Sequence, residues 1–320
     1  MKTIKWGMVG TGNVTEVKSG PGFYKALNSE LYGVTNRTYE KAADYAQRHG
    51  VPKVYRDLDE MIADGQVDAI YLATPPGAHK ADALKCAQAG IVCYIEKPVA
   101  LNLADHLEIM EAFAASGTKA FAAYYRRAQP RFLKVKELLD SDAIGDIRFV
   151  HLSLYRPPTD DEKAQCWRVQ PELSGGGLLM DVGVHQLDIL DFLVGQISGV
   201  KSITGNLAKL YGPEDTISAA FTFKSGALGT ADWCFAAGFY KDEIELVGSK
   251  GRLVLSCFGQ EPIRLDTAAG TTEFPVEKPA HVHQPLIQTI VDELNGIGKS
   301  PSTLATALNT AQVCEWIYSE

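Results

Sequence analysis

Ile4-Lys5-Trp6-Gly7-Met8-Val9-Gly10-Thr11-Gly12-Asn13-Val14 runs from a strand-like apolar segment into a Gly-x-Gly turn and then a helix start. Glycines at that point allow a tight turn and let backbone N–H groups approach a pyrophosphate at the positive end of a helix. A bare Gly-x-Gly elsewhere is a structural turn. After a first strand it points to a dinucleotide site, with Gly10, Thr11, Gly12, Asn13 and Val14 as candidate contacts. The fuller fingerprint has a third glycine where this chain has Thr15. Ser19-Gly20-Pro21-Gly22 is expected to break the helix after about Lys18.

Outward from that turn, the first ~120 residues alternate short apolar runs with amphipathic stretches, the βαβ pattern of a parallel sheet with helices on both faces. Strands are expected at Ile4–Val9, Leu31–Asn36, Lys53–Tyr55, Asp68–Ala73, Ile91–Ile95 and Lys119–Tyr124. Helices over Tyr39–His49 and Gly77–Ala89 end at Gly50 and Gly90, which suit the left-handed residue past a helix terminus. Asn102–Ser116 is a third helix, with Asn102 as its N-cap. From Ile147 the strands follow one another: Ile147–Tyr155, Val200–Lys209, Thr216–Phe223, Ala227–Phe235, Glu243–Val247 and Arg252–Ser256. Lys224-Ser225-Gly226 and Gly248-Ser249-Lys250-Gly251 read as their turns. A helix over about Gly176–Leu193 interrupts them, and two more, about Pro285–Leu294 and Pro301–Tyr318, close the chain. The expected fold is α/β. Residues 1–122 form a doubly wound Rossmann sheet, and residues 123–320 an α+β domain with an open, largely antiparallel sheet.

The end of the second expected strand chooses between dinucleotides. A carboxylate there accepts the ribose 2′-hydroxyl of NAD and repels a 2′-phosphate, but the segment is Thr35-Asn36-Arg37-Thr38. A charge-assisted bond from Arg37 to a phosphate is worth ~1.5–3 kcal/mol. The segment therefore favours NADP, with NAD possible if Arg37 stacks on the adenine instead. Thr74-Pro75-Pro76, with His79 in the helical turn that follows, and Glu96-Lys97-Pro98 sit after the fourth and fifth strands at the same carboxyl edge. His79 also reads as an ordinary surface residue. Proline fixes the backbone beside Lys97, which projects toward the crevice, where desolvation can tune a lysine for proton transfer. Taken alone, a solvated strand-end lysine is the default.

Gly175-Gly176-Gly177-Leu178-Leu179-Met180-Asp181-Val182-Gly183-Val184-His185-Gln186-Leu187-Asp188 is the richest segment of the second half. In an α-helix Asp181, His185 and Asp188 share one face. An aspartate one turn before a histidine orients the ring and raises its basicity, as a general acid/base needs. The same spacing also suits a packing face with a satisfied histidine. The glycine run admits a close approach at the helix start, for which the nicotinamide end of a cofactor is the candidate. His281-x-His283 has no cysteine or acidic neighbour, so it reads as a polar loop and no metal is expected.

Together these motifs resemble the Gfo/Idh/MocA oxidoreductases over essentially the whole chain: Gly10-x-Gly12, Glu96-Lys97-Pro98, the glycine run leading to Asp181-x-Gly183-x-His185, and the Gly248–Gly251 turn. The resemblance implies that Lys97, Asp181 and His185 surround the nicotinamide and the substrate as catalytic groups, with Tyr125 and Trp167 among the substrate contacts. Asn36, Arg37, Thr38, Thr74, Pro75, His79, Glu96, Lys97, Trp167 and Arg168 join the cofactor set. Trp167-Arg168 with Pro171-Glu172 looks most like the anhydrofructose reductase and glucose–fructose oxidoreductase branch, which favours NADP. Tyr125 departs from the Asn of many members. The implied activity is NADP(H)-dependent hydride transfer between nicotinamide and a secondary alcohol or ketone of a sugar, polyol or related small molecule. An NAD-dependent inositol-type dehydrogenase and a non-catalytic NADP-binding sensor are the rivals. The family also implies a homodimer or homotetramer formed through the open sheet.

Composition narrows the classes. The chain has 320 residues, enough for two domains. Its net charge of −8, without a Lys/Arg run, speaks against nucleic acid as a partner. No apolar stretch reaches the ~18 residues that span a bilayer, and the opening TIKWGMV leaves no room for a signal peptide. The six cysteines have no CxxC spacing and are expected as free thiols in the cytoplasm.

Overall fold

All residues of the first strand, β1 (Ile4–Val9), are buried except the half-buried Lys5, as a central parallel strand requires. The computed structural model describes residues 1–319. With β2 (Ser29–Thr35), β3 (Lys53–Val54), β4 (Ala69–Leu72), β5 (Val92–Ile95) and β6 (Ala120–Ala122), β1 forms a parallel sheet in the order β3-β2-β1-β4-β5-β6. The chain leaves β1 toward β2 and β3 on one side and returns to β4 on the other. The carboxyl ends of β1 and β4 therefore flank the switch point where open α/β sheets bind ligands. Helix Tyr39–His49 closes at Gly50 with φ 67°, and Asn102 caps Leu103–Ser116 by accepting from the Asp105 amide at 2.9 Å. The helix after the glycine turn does stop early, at Val17. Gly20-Pro21-Gly22 then opens a second short helix, Gly20–Lys25, with proline in its first turn, where a missing N–H costs nothing.

Thr15 takes the place of the third glycine by folding back on its own turn. It is fully buried, its hydroxyl donates to the Gly12 carbonyl at 2.8 Å, and its carbonyl accepts from Tyr45 at 2.9 Å. One residue on, Glu16 receives Arg48 bidentately at 2.8 Å, with His49 at 3.0 Å, and the Arg48 guanidinium holds its carboxyl down at about 2. Behind the sheet edge lies an aromatic core. Trp6 and Phe23 centroids are 4.9 Å apart, Phe23 and Tyr71 5.0 Å, and Tyr71 and Tyr94 5.0 Å.

Leu286, Ile287, Ile290 and Val291 of the helix Gln284–Leu294 belong to that same core. The single cut expected at residue 122 is thus replaced by a discontinuous division. One unit comprises Met1–Gln129 and Pro279–Leu308; the other comprises Pro130–Lys278 and the chain from Asn309 on. The apolar face of a C-terminal helix, buried against β1 and its neighbours, draws that segment into the first unit.

The second unit is built on eight strands: β7 (Ile147–Tyr155), β8 (Ile197–Gly205), β9 (Thr216–Phe223), β10 (Leu228–Cys234), β11 (Lys241–Gly248), β12 (Gly251–Leu255), β13 (Ile263–Thr267) and β14 (Gly270–Phe274). Their order is β14-β13-β12-β11-β7-β10-β9-β8, antiparallel except for the β7–β10 pair. The expected open sheet is present, longer by the hairpin β13–β14. Burial alternates along β9, where Ile217, Ala219, Phe221 and Phe223 face inward while Ser218, Ala220 and Thr222 face out. The outward face also carries apolar residues: Ile203 is 79% exposed, Leu228 52% and Phe149 37%. Two helices that the sequence pattern left unassigned, Leu58–Asp64 and Pro130–Asp140, complete the layers. Among the described residues no helix is long and apolar enough to cross a membrane, and no group of His, Cys, Asp and Glu could hold a metal ion.

Candidate functional site

At the carboxyl edge of the first sheet, Gly10 turns with φ 100°, and a Cβ there would lie 2.9 Å from the Ala73 carbonyl oxygen. Only glycine lets β1 leave the sheet against β4 in this way. A Cβ on Gly12 would meet nothing within 4 Å, so the far side of the turn is open to a ligand. Asn36 donates to the Thr11 hydroxyl at 2.9 Å and accepts from the Thr38 amide at 2.9 Å, tying the end of β2 to the same turn. Arg37, between them, is exposed, and its guanidinium pairs with no described residue. After β4, the Thr74 hydroxyl is buried without a hydrogen-bond partner, and Pro75 opens the helix Pro76–Gln88. An open glycine turn, an unpaired buried hydroxyl and a free guanidinium on one edge fit a dinucleotide.

His79 is not a surface residue. It is fully buried, with Nδ1 3.0 Å from the Pro98 carbonyl and Nε2 2.7 Å from that of Thr74. Burial holds its pKa down, so the neutral ring donates to one of these carbonyls at a time. Both nitrogens face protein, and the side chain joins the β4 turn to the β5 turn. On that second turn Glu96 is buried. It accepts from the Tyr71 hydroxyl and from the Lys97 amide at 3.2 Å, while burial pushes its carboxyl up. Lys97 is half-buried. Tyr125 lies in this unit too, its ring 4.2 Å from that of His283 and 4.9 Å beneath the Arg126 guanidinium.

In the second unit side chains of the same unit come close to the glycine run. A Cβ on Gly177 would stand 2.5 Å from a Glu214 carboxylate oxygen, and one on Gly176 2.7 Å from the Tyr318 hydroxyl. Tyr318 donates to Glu214 at 2.7 Å and accepts from the Gly177 amide at 3.4 Å. Glu214 also takes the Gly177 and Leu179 amides, which satisfies the start of the helix from within the chain. The helix itself is not uniform. Leu179–Gly183 is a π turn, and the α-helix proper is Val184–Leu193, so the even spacing expected of Asp181, His185 and Asp188 holds only from Val184 on.

Asp181 is paired with Arg168, whose Nε lies 3.0 Å from its carboxylate and whose guanidinium sits 4.6 Å over the Trp167 ring. His185 is 6% exposed, edge-on to Phe258 at 6.2 Å. Its neighbour Gln186 accepts from Trp233 Nε1 at 2.8 Å and donates to Asp242 at 3.3 Å. Asp242 in turn accepts from the amides of Cys257, Phe258 and Gly259, at 3.1, 2.6 and 3.2 Å. One carboxylate thereby fixes both the histidine helix and the aromatic residue against the imidazole. Glu214, Tyr318 and Asp242 have no motif of their own, and only their place in the fold reveals them.

The relatives agree with this layout. Residues 4–124 match the model of an oxidoreductase family with an NAD-binding Rossmann fold, and residues 132–254 match the Gfo/Idh/MocA C-terminal domain. The chain belongs to the Gfo/Idh/MocA oxidoreductases. It is 33% identical to Oxidoreductase P35 of Formosa agariphila, across 98% of this chain and 97% of that protein. It is also 25% identical to the 1,5-anhydro-D-fructose reductase of Ensifer adhaerens, across 93% and 90%. Among solved structures, the aldose–aldose oxidoreductase of Caulobacter crescentus, complexed with glycerol, shares the fold with a TM-score of 0.89 at 23% identity, covering 99% of this chain and 97% of that one. This Gfo/Idh/MocA member is therefore an oxidoreductase with an NAD-type Rossmann domain.

Gly177→Ala is expected to lower stability by about 1–3 kcal/mol in urea unfolding, through the clash with Glu214. In a Glu214→Ala background, where the obstructing carboxylate is gone, the same change should cost less than half as much.

Proposed function

We propose that the protein is an NADP(H)-dependent oxidoreductase that interconverts a secondary alcohol and a ketone on a sugar, polyol or related small molecule. The observation that carries this reading is Lys97, placed directly after β5 on the edge that holds the open glycine turn. The family and the anhydrofructose reductase relative support the substrate class. The Gly10–Val14 turn, Asn36, Arg37, Thr38, Thr74 and Pro75 would hold the dinucleotide. When bound, its nicotinamide supplies the hydride acceptor or donor at C4. The chain's own residues handle the proton. In oxidation the carbinol carbon loses hydride while Lys97 or His185 takes the hydroxyl proton, leaving a carbonyl. Asp181, oriented by Arg168, would accept from a substrate hydroxyl, with Trp167 packing against the ligand ring. The exposed, unpaired Arg37, with no carboxylate at the end of β2, is the basis for NADP over NAD.

A homo-oligomer formed through the outward face of the eight-stranded sheet completes the proposal. Ile203, Leu228 and Phe149 leave apolar surface there that a second copy would cover.

Three measurements test these assignments. Arg37→Ala should cut the preference for NADPH over NADH by about 10- to 100-fold in binding titrations, and an unchanged ratio removes Arg37 from the cofactor reading. Lys97→Ala and His185→Ala should each be assayed on a sugar and polyol panel by nicotinamide absorbance. At least one should fall by about 10²–10⁴ in kcat, and wild-type turnover in both overturns the assignment. Light scattering should give a particle at least twice the 34.8 kDa of the chain, and a monomer at working concentration refutes the sheet interface.

A further inference from the structure

The pair His281-x-His283, read from sequence as a polar loop, does something more specific. His283 is fully buried, in the segment that returns to the first unit. Its amide donates to the Lys18 carbonyl at 3.1 Å, and His281 Nδ1 lies 2.7 Å from the Val17 carbonyl. The two residues strap down the end of the helix that follows the glycine turn. The His283 ring then reaches the other side of the edge. Nδ1 is 3.0 Å from the Tyr94 hydroxyl, and Nε2, with no other hydrogen bond, faces Glu96 Oε1 at 3.6 Å.

The direction of the protons follows from the partners. Tyr71 donates to Oε1 of Glu96 and the Lys97 amide donates to Oε2, so Glu96 acts as an acceptor on both oxygens. A lone pair on Nε2 would face that carboxylate unfavourably, whereas an N–H dipole is attracted to it. The ring therefore carries its proton on Nε2, and Tyr94 donates to Nδ1. We propose that His283 is a positioning residue for the Glu96–Lys97 turn, presenting its Nε2–H to Glu96 and so keeping that carboxylate ionised as the anchor of the Lys97 backbone. This inference rests on the reading of Lys97 as a proton-transfer group only for its effect on turnover.

The environment is consistent with that role. Burial alone pushes the Glu96 carboxyl up and the His283 ring well down, leaving the imidazole neutral. The groups that face the pair are Lys18 from the end of the first helix, Lys97 from the β5 turn, Arg126 and Tyr125 from the short turn after β6, Tyr71 from β4 and Tyr94 from β5. Lys97 and Lys18 favour an ionised Glu96, and together with Arg126 they disfavour a charged His283. Neutral His283 contributes a dipole rather than a second charge, and that is the contribution a substitution can remove.

The test is pH-dependent infrared spectroscopy of the full chain, following the carbonyl stretch of protonated Glu96 and assigned by its loss in Glu96→Gln. In His283→Leu the band should persist to a pH higher by about one unit than in the wild type. His283→Gln, whose side-chain amide can both accept from Tyr94 and donate to Glu96, should restore most of the wild-type titration. Steady-state kinetics on the same proteins should show the acid limb of kcat moving up with the band in His283→Leu, with kcat down about 10-fold or more and KM for the cofactor little changed. If His283→Leu does not fold, Tyr94→Phe, which frees the ring's tautomer, should move the band in the same direction. A band that titrates alike in wild type and His283→Leu, or alike in wild type and Tyr94→Phe where only the latter folds, overturns the proposal. A band that moves while the kcat limb stays upholds the coupling of His283 to Glu96 and overturns the role of Lys97 instead.

Discussion

A carboxylate sealed beside an aromatic core is the constraint around which the ligand edge of the first unit is arranged. Removing Glu96 from water costs several kcal/mol unless donors and opposite charge replace the solvent. They come from every direction: the Tyr71 hydroxyl, the Lys97 amide, and the charges of Lys18 and Lys97. Because these groups sit on β4, on the β5 turn and at the end of the first helix, the requirement of one buried oxygen pair fixes three segments at once. The turn that presents Lys97 is held in part by the electrostatics of its neighbour Glu96.

The second unit uses the same device twice. Glu214 accepts the first amides of the histidine helix, and Asp242 accepts three consecutive amides of the loop that carries Phe258. Hydrogen bonds from backbone N–H to an ionised acceptor are roughly twice as strong as neutral ones. Rigidity is thereby concentrated where a side chain has to be aimed. The π turn at Leu179–Gly183 belongs to this picture, because a helix that changes its winding between Asp181 and His185 sets their directions separately. Arg168 takes one of them, Asp181, and the Gln186–Asp242–Trp233 group steadies the helix beside the other.

Local signals carried most of the fold. Ile4–Val9, Tyr39–His49, Ile147–Tyr155 and Thr216–Phe223 have the bounds that apolar runs, left-handed glycines and period-two alternation assign them. The hairpin β13–β14 escaped because it is short and mostly exposed or half-buried, so its sequence, IRLDT and GTTEF, lacks a clean inward face. The positions of Gly10, Arg37 and Lys97 at the sheet edge were legible, because motif and strand end coincide there. Local reading stops where a residue's partner lies far away in sequence. His79 looks like a surface histidine until Pro98 is brought to it, and no local signal announces that Glu214 and Tyr318 come to Gly177. No spacing rule reaches across such separations.

The same non-locality shapes the first unit as a folding problem. Its core needs Leu286, Ile287, Ile290 and Val291, which follow its own residue Gln129 only after the whole Pro130–Lys278 segment. The entropy of closing so long a loop grows only as the logarithm of its length, which makes the detour affordable in equilibrium stability. Kinetically it is more demanding, since a parallel sheet that waits for a C-terminal helix has a high contact order. Until that helix docks, Trp6, Phe23 and Tyr94 lack the apolar surface that finishes their burial, and Glu96 lacks the imidazole facing it. The core and the surroundings of Glu96 are therefore both completed by one returning segment of chain.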